Sequence, residues 1–180
     1  HQLTRRQRQM CIRDSNPWMQ ESSNKIIQDG EIVSFDTDMV GPYGYCADIS
    51  RAFVCGNKFN EHQKKIYSTA VEQIDYNSRL IKDGVSFREF TEKAWILPEK
   101  YYGNRYSVML HGIGLCDEWP AIRYPTDGGE RSGIFQKNMT ITLESYIGEV
   151  GGHEGVKLEQ QYLVGENGLE LMSHHPLEQI

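Results

Sequence analysis

"SFDTDMVGPYGYCADISRAF", residues 34–53, decides how this chain is read. Apolar and aromatic residues flank the turn signal Gly41-Pro42-Tyr43-Gly44, the pattern of a β-hairpin. Three carboxylates sit on its arms: Asp36, Asp38 and Asp48. Residues i and i+2 of a strand share a face, so Asp36 and Asp38 point the same way. The register decides where Asp48 points. If the turn centres on Tyr43, Asp38 faces Asp48. If it centres between Pro42 and Tyr43, Asp38 faces Ala47, and Asp48 lies on the other face. In the first register the facing side chains are about 5 Å apart, and like charges so placed are destabilising. A raised pKa, an arginine or a metal ion must then neutralise them. Arg51 is at hand, but one arginine does not balance three acids. The two readings at this point are a solvated acidic hairpin and a metal site.

Acids elsewhere bear on that choice. "HGIGL" (111–115) puts His111 directly before a glycine-rich stretch. "TITLES" (140–145) sets Glu144 inside an apolar strand pattern, and "GVKLEQQYLV" (155–164) does the same with Glu159. A buried acid is costly unless it is paired or coordinated. Each of these has an ordinary alternative: a hydrogen-bonded core histidine, or a glutamate pointing outward from an edge strand. The order Asp, Asp, His, Glu, Glu along one chain is hard to obtain by accident.

The frame around these residues is mixed α/β. Strands are expected at 31–39 and 45–54. A helix is expected over 60–82, with apolar residues at a period near 3.6 and Asn60 as N-cap. Ser86 with Glu89 reads as a capping box for a second helix at about 86–96, stopped before Pro98. A short strand follows at 106–111, then a loop-rich stretch over 118–137, then strands at 138–147 and 155–164 and a short one at 169–173. There is no internal repeat. The 180 residues give room for one core domain.

Composition sets the outer bounds. Hydrophobic content of 38% and charged content of 24% suit a globular chain. A net charge of −6 argues against a nucleic-acid partner. No apolar run approaches a membrane span. The four cysteines form no CxxC pair, which fits a reduced, cytoplasmic setting. Residues 1–15 differ from the rest: they carry Arg5, Arg6, Arg8 and Arg13 against Asp14 alone. They have no apolar core of the kind a secretory signal needs. They are read as a non-native or disordered leader, and the remainder without them is more acidic still.

The ordered acids and histidine resemble the pita-bread metallohydrolases, a group that includes methionine aminopeptidase, Xaa-Pro aminopeptidase and prolidase. The resemblance runs from about residue 25 to about residue 170. It implies a pita-bread fold with a mostly antiparallel, curved sheet and helices on one face. It implies that residues 16–180 are the C-terminal part of a catalytic domain. It implies two divalent metal ions held by an Asp of "SFDTD", Asp48, His111, Glu144 and Glu159. It also favours the register that sets Asp38 opposite Asp48. A carboxylate-rich set with one imidazole suits Fe, Mn, Co or Zn rather than a soft ion.

Departures from the peptidases narrow the subgroup. Those enzymes carry a second histidine about seven residues after the metal histidine. Here the stretch is "HGIGLCDEWP", with Asp117 and Glu118 in that region. "FDTD" supplies two acids where the peptidases show one. Together with "TLESYIGEVGG", these features resemble the DddP-type dimethylsulfoniopropionate lyases. That resemblance implies metal ligation by Asp36, Asp38, Asp48, His111, Glu144 and Glu159, with iron as the first-choice metal. It assigns the catalytic base to Asp117 and a substrate-binding role to Tyr106. It implies a small-molecule substrate and a homodimeric full-length enzyme. Leu115 and Trp119 are expected to help desolvate Asp117, with ordinary core packing the favoured alternative for Trp119; Arg51 is expected to orient the carboxylates, and Cys46 and Cys116 to serve as packing residues. A dinuclear metallopeptidase of the Xaa-Pro type is the alternative.

Overall fold

A computed structural model describes residues 26–56, 58–128 and 132–177. The leader read at residues 1–15 lies outside the described residues. The opening hairpin is built from two short ladders. Strand β1 (Ile32–Asp36) pairs antiparallel with β4 (Ser50–Val54), and β2 (Met39–Val40) pairs with β3 (Cys46–Ala47). Asp36 faces Ser50 and Met39 faces Ala47, so both ladders share one register, centred on Tyr43. Tyr43 itself adopts φ 61° in the turn. The strands expected at 31–39 and 45–54 are therefore each split in two. The break falls where Asp38 and Asp48 come opposite one another, the pair that disfavours a closed ladder. Thr37 bridges the gap: its amide and its hydroxyl both donate to the Ile49 carbonyl, at 3.2 and 3.0 Å.

The rest is a five-stranded antiparallel sheet in the order β6-β5-β7-β8-β9. Its strands are β5 (Val108–Gly112), β6 (Ala121–Arg123), β7 (Thr140–Gly148), β8 (Gly155–Val164) and β9 (Leu169–Leu171). The long β7–β8 ladder sets Glu144 opposite Glu159 and Tyr146 opposite Lys157. Helix α1 (Glu61–Ser78) starts at a full capping box formed by Asn60 and Gln63. It packs across β7 and β8 and buries Ile66, Tyr67, Ala70 and Ile74. Burying an isoleucine such as Ile66 or Ile74 contributes about 1.5–3 kcal/mol. Gln73 ties the helix to the sheet, accepting from the Ser145 hydroxyl at 2.7 Å and donating to the Tyr124 hydroxyl at 2.6 Å. Ser145 and Glu144 are adjacent on one strand, so the face under α1 is opposite to the face carrying Glu144.

Helix α2 (Phe87–Lys93) is capped by Ser86, which accepts from the Glu89 amide at 3.0 Å. Phe87 and Phe90 pack edge-on against Phe135, with ring centroids 4.9 and 5.9 Å apart. A one-turn helix α3 (Glu99–Tyr102) follows Pro98. Neither α3 nor β6 was expected from the sequence. Pro120 and Pro125 bracket the three residues of β6, and its pairing comes from β5 rather than from any periodicity of its own. Among the described residues, no helix is long and apolar enough to cross a membrane.

Candidate metal and catalytic site

Four strand segments bring the acids to one place. Asp36 closes β1, and Asp38 follows it in the gap before β2. Asp48 sits between β3 and β4, His111 on β5, Glu144 on β7 and Glu159 on β8. His111 faces Thr142, two residues before Glu144, so sheet pairing and the two-residue period align His111 with both glutamates. Its Nε2 lies 3.4 Å from Glu144 Oε1, 3.4 Å from Glu159 Oε1 and 3.8 Å from Asp48 Oδ2. Asp36 Oδ1 accepts a 2.6 Å hydrogen bond from the Ser50 hydroxyl, which also lies 3.1 Å from Glu159 Oε2. All six expected residues thus converge.

Two compact donor groups share Asp48. One is Asp48, His111 and Glu159; the other is Asp36, Asp38 and Asp48. In each group one ligand atom per residue lies within 4.8 Å of the others. Asp48 Oδ1 and Glu159 Oε1 are buried without a hydrogen-bond partner. Unpaired buried carboxylate oxygens are costly, and divalent cations take oxygen donors of this kind. The residues fit the metal ions that the sequence implies.

Two participants were not anticipated, Lys157 and Ser50. Lys157 is buried, and its ammonium contacts Glu144 Oε2, Ser50 Oγ at 3.0 Å, Glu159 Oε2 at 3.5 Å and Asp36 Oδ2 at 3.9 Å. The strand period could have found both. Lys157 stands two residues before Glu159 and Ser50 two residues after Asp48, so each shares its neighbour's face.

Arg51 does not take the orienting role expected of it. It lies one residue from Ser50 and so on the opposite face. Its guanidinium donates to the carbonyls of Ser50, Glu159 and His175 and to Gln160 Oε1. It pins the hairpin to β8 and to the C-terminal segment.

The loop after His111 brings Asp117 to the rim. Gly112 donates to the Pro120 carbonyl at 3.0 Å, and a Cβ at Gly112 would stand 2.2 Å from the Trp119 carbonyl oxygen. Only glycine permits this fold-back. Gly114, at φ 134°, accepts from the Cys46 amide at 2.7 Å and so joins the loop to the hairpin. Leu115 is 73% exposed and Trp119 62% exposed, so neither shields Asp117 as expected. The excursion between Gly112 and Pro120 buries Ile113 at its base and holds Leu115 and Trp119 outward at its tip. Cys116 is exposed and not a packing residue, whereas Cys46 is half-buried. Tyr106 is half-buried against Tyr146, with the Lys157 ammonium 5.2 Å from its ring centre. Tyr106 therefore borders the cluster.

Residues 10–166 match the model of metallopeptidase family M24. The chain belongs to family M24. This M24 chain is 38% identical over 168 residues to the dimethylsulfoniopropionate lyase DddP of Roseovarius nubinhibens, covering 91% of the chain and 37% of that protein. It is 39% identical to the DddP of Roseobacter denitrificans over the same shares. Its fold is similar to that of an Xaa-Pro dipeptidase from Bacillus anthracis, with a TM-score of 0.73 and 29% identity over 92% of this chain and 45% of that one. The M24 chain spans less than half the length of these relatives. Its architecture corresponds to part of the pita-bread fold.

Burial and mutual charge set the electrostatics of the M24 cluster. Burial pushes Asp36, Asp48 and Glu144 above the ordinary carboxylate range, and the charge of Glu159 pushes each further. Burial would raise Glu159 too, but Lys157 and His111 outweigh it and hold Glu159 below the usual range. Burial opposes a charge on His111, yet its contacts with Glu144 and Glu159 win and push it up to about 12. Burial also raises Asp117, helped by the charge of Asp38. A raised carboxyl stabilises the fold below its unfolded pKa near 4, and that contribution is lost as pH rises through the folded value. Raised His111 has the same sign, with loss beginning above about 6.5. The depressed Glu159 runs the other way, but its contribution is complete above about pH 5. The metal-free chain should therefore melt at a lower temperature at about pH 8 than at about pH 5.5. Metal uptake should release protons, read by calorimetry in buffers of different ionisation enthalpy. A melting temperature that rises over this range in chelator would contradict the assignment.

Proposed function

We propose that the longer protein containing this chain is a metal-dependent lyase that cleaves dimethylsulfoniopropionate to dimethyl sulfide and acrylate. The observation that carries the reading is the convergence of six side chains, including both acids of "FDTD", beside a loop that offers Asp117 and no second histidine. Identity to two DddP enzymes over 91% of the chain supports it. Asp36, Asp38, Asp48, His111, Glu144 and Glu159 would hold two divalent ions, iron being the first choice and Mn, Zn or Co the others. The ions would supply positive charge for the substrate carboxylate and for the negative charge that develops on it.

The chain's own residues do the rest. Asp117 takes the proton from the α-carbon. The electron pair left behind forms the carbon–carbon double bond, the carbon–sulfur bond breaks, and its electrons leave on sulfur. A carboxylate is a weak base for such a proton, and the raised pKa of Asp117 makes it a stronger one. The Tyr106 ring would attract the sulfonium by a cation–π contact of about 0.5–2 kcal/mol. A cytoplasmic, homodimeric enzyme completes the proposal.

The second reading is an Xaa-Pro peptidase. It is favoured by the family itself and by the fold shared with the Bacillus anthracis dipeptidase. One assay separates the two. The metal-reconstituted full-length protein is given dimethylsulfoniopropionate, with headspace dimethyl sulfide measured, and in parallel an Xaa-Pro dipeptide. Dimethyl sulfide with little peptide cleavage is the expected result. Peptide turnover without dimethyl sulfide would restore the peptidase.

A further inference from the structure

Lys157 is 2% exposed, and the acids around it are buried as deeply. Each of the two glutamates divides its oxygens in the same way. The Oε2 atoms face Lys157, which contacts that of Glu144 closely and that of Glu159 at 3.5 Å. The Oε1 atoms face the other way, each 3.4 Å from His111 Nε2. The Ser50 hydroxyl extends the arrangement, lying 3.0 Å from the Lys157 ammonium and 2.6 Å from Asp36 Oδ1. Neither compact donor group includes Glu144, the acid that Lys157 holds most closely. A buried ammonium is stable only in such company, and buried carboxylates likewise need a cation.

We propose that Lys157 is a positioning residue: an internal counter-cation that holds Glu144, Glu159 and Asp36 in place when no metal is bound and turns the glutamate Oε1 atoms toward the metal side. The inference rests on the metal-site reading above and goes beyond it. Lys157 ligates nothing. It keeps the carboxylates from repelling one another apart, so the site is assembled before metal arrives. Without it, His111 alone faces the two glutamates until metal binds.

The test compares thermal melts of the full chain in chelator and with Mn²⁺. In Lys157→Met the metal-free protein loses the ammonium that faces Glu144, Glu159 and Asp36, and the more negative cluster draws Mn²⁺ more strongly. Both effects enlarge the rise in melting temperature that Mn²⁺ produces, by roughly 10 °C over the parent. Lys157→Arg keeps the charge and should stay near the parent. A Lys157→Met chain that folds only when Mn²⁺ is present during refolding is the extreme form of the expected result. If Lys157→Met is not recovered with or without Mn²⁺, Lys157→Gln is read by the same comparison. An equal loss of melting temperature in chelator and in Mn²⁺ would reduce Lys157 to a packing role and overturn the inference alone. A smaller Mn²⁺ response than the parent's would also overturn it. A parent chain whose melt Mn²⁺ does not move would overturn the metal-site reading and this inference with it.

Discussion

Asp117→Asn in the full-length enzyme should lower dimethyl sulfide release by about 10²- to 10⁴-fold, the usual worth of a general base. Asparagine keeps the shape of the side chain and removes the proton acceptor. Asp117 stands on the loop anchored by Gly112 and Gly114, and it belongs to neither compact donor group. Bound metal per chain should therefore stay at the parent's level, and so should the melting temperature. The rate at saturating substrate should fall while the substrate concentration for half-maximal rate changes little, because the lost interaction belongs to the transition state. Loss of metal together with rate would move Asp117 from base to ligand. An unchanged rate would remove it from the chemistry.

His111→Ala should instead lower bound metal and abolish activity together. His111 Nε2 lies 3.4 Å from both glutamate Oε1 atoms and 3.8 Å from Asp48 Oδ2, and it belongs to the donor group that also holds Asp48 and Glu159. Losing even an outer partner of a metal ligand costs roughly 10–100-fold in affinity, and losing the ligand should exceed that. Metal analysis after dialysis should find at least one ion missing, and calorimetry should show the weakened titration. The apolar core lies on the α1 side of the sheet, so circular dichroism should remain that of the parent. Full metal occupancy in His111→Ala would refute the assignment of this histidine, whatever its effect on rate.

These two variants separate roles that the sequence assigned only by resemblance. What could be read directly was local. The Tyr43-centred register is one of the two that the turn residues allowed, and it brings Asp38 and Asp48 together. The helix starting after Asn60 and the long strands around Glu144 and Glu159 follow from capping and from period-2 alternation. Lys157 was legible by the same rule, two residues from Glu159 and so on its face. The outward positions of Leu115 and Trp119 were not legible. Their surroundings depend on how the loop folds back on Gly112.

The sequence by itself determined the types of the longer elements, the order of the acids and the face each occupies within its own strand. These depend on interactions between near neighbours along the chain: caps, turns and alternation. Only the tertiary structure decided which of those faces meet. Asp36, Asp48, His111, Glu144 and Glu159 span more than a hundred positions, and they converge because β5, β7 and β8 pair in one register while the hairpin packs against β8. The same packing placed Arg51 on the carbonyls behind the site and Lys157 within it. A side chain's charge is written in the sequence, but whether that charge is solvated, paired or left for a metal is settled by burial. Burial is a property of all the elements that close around it.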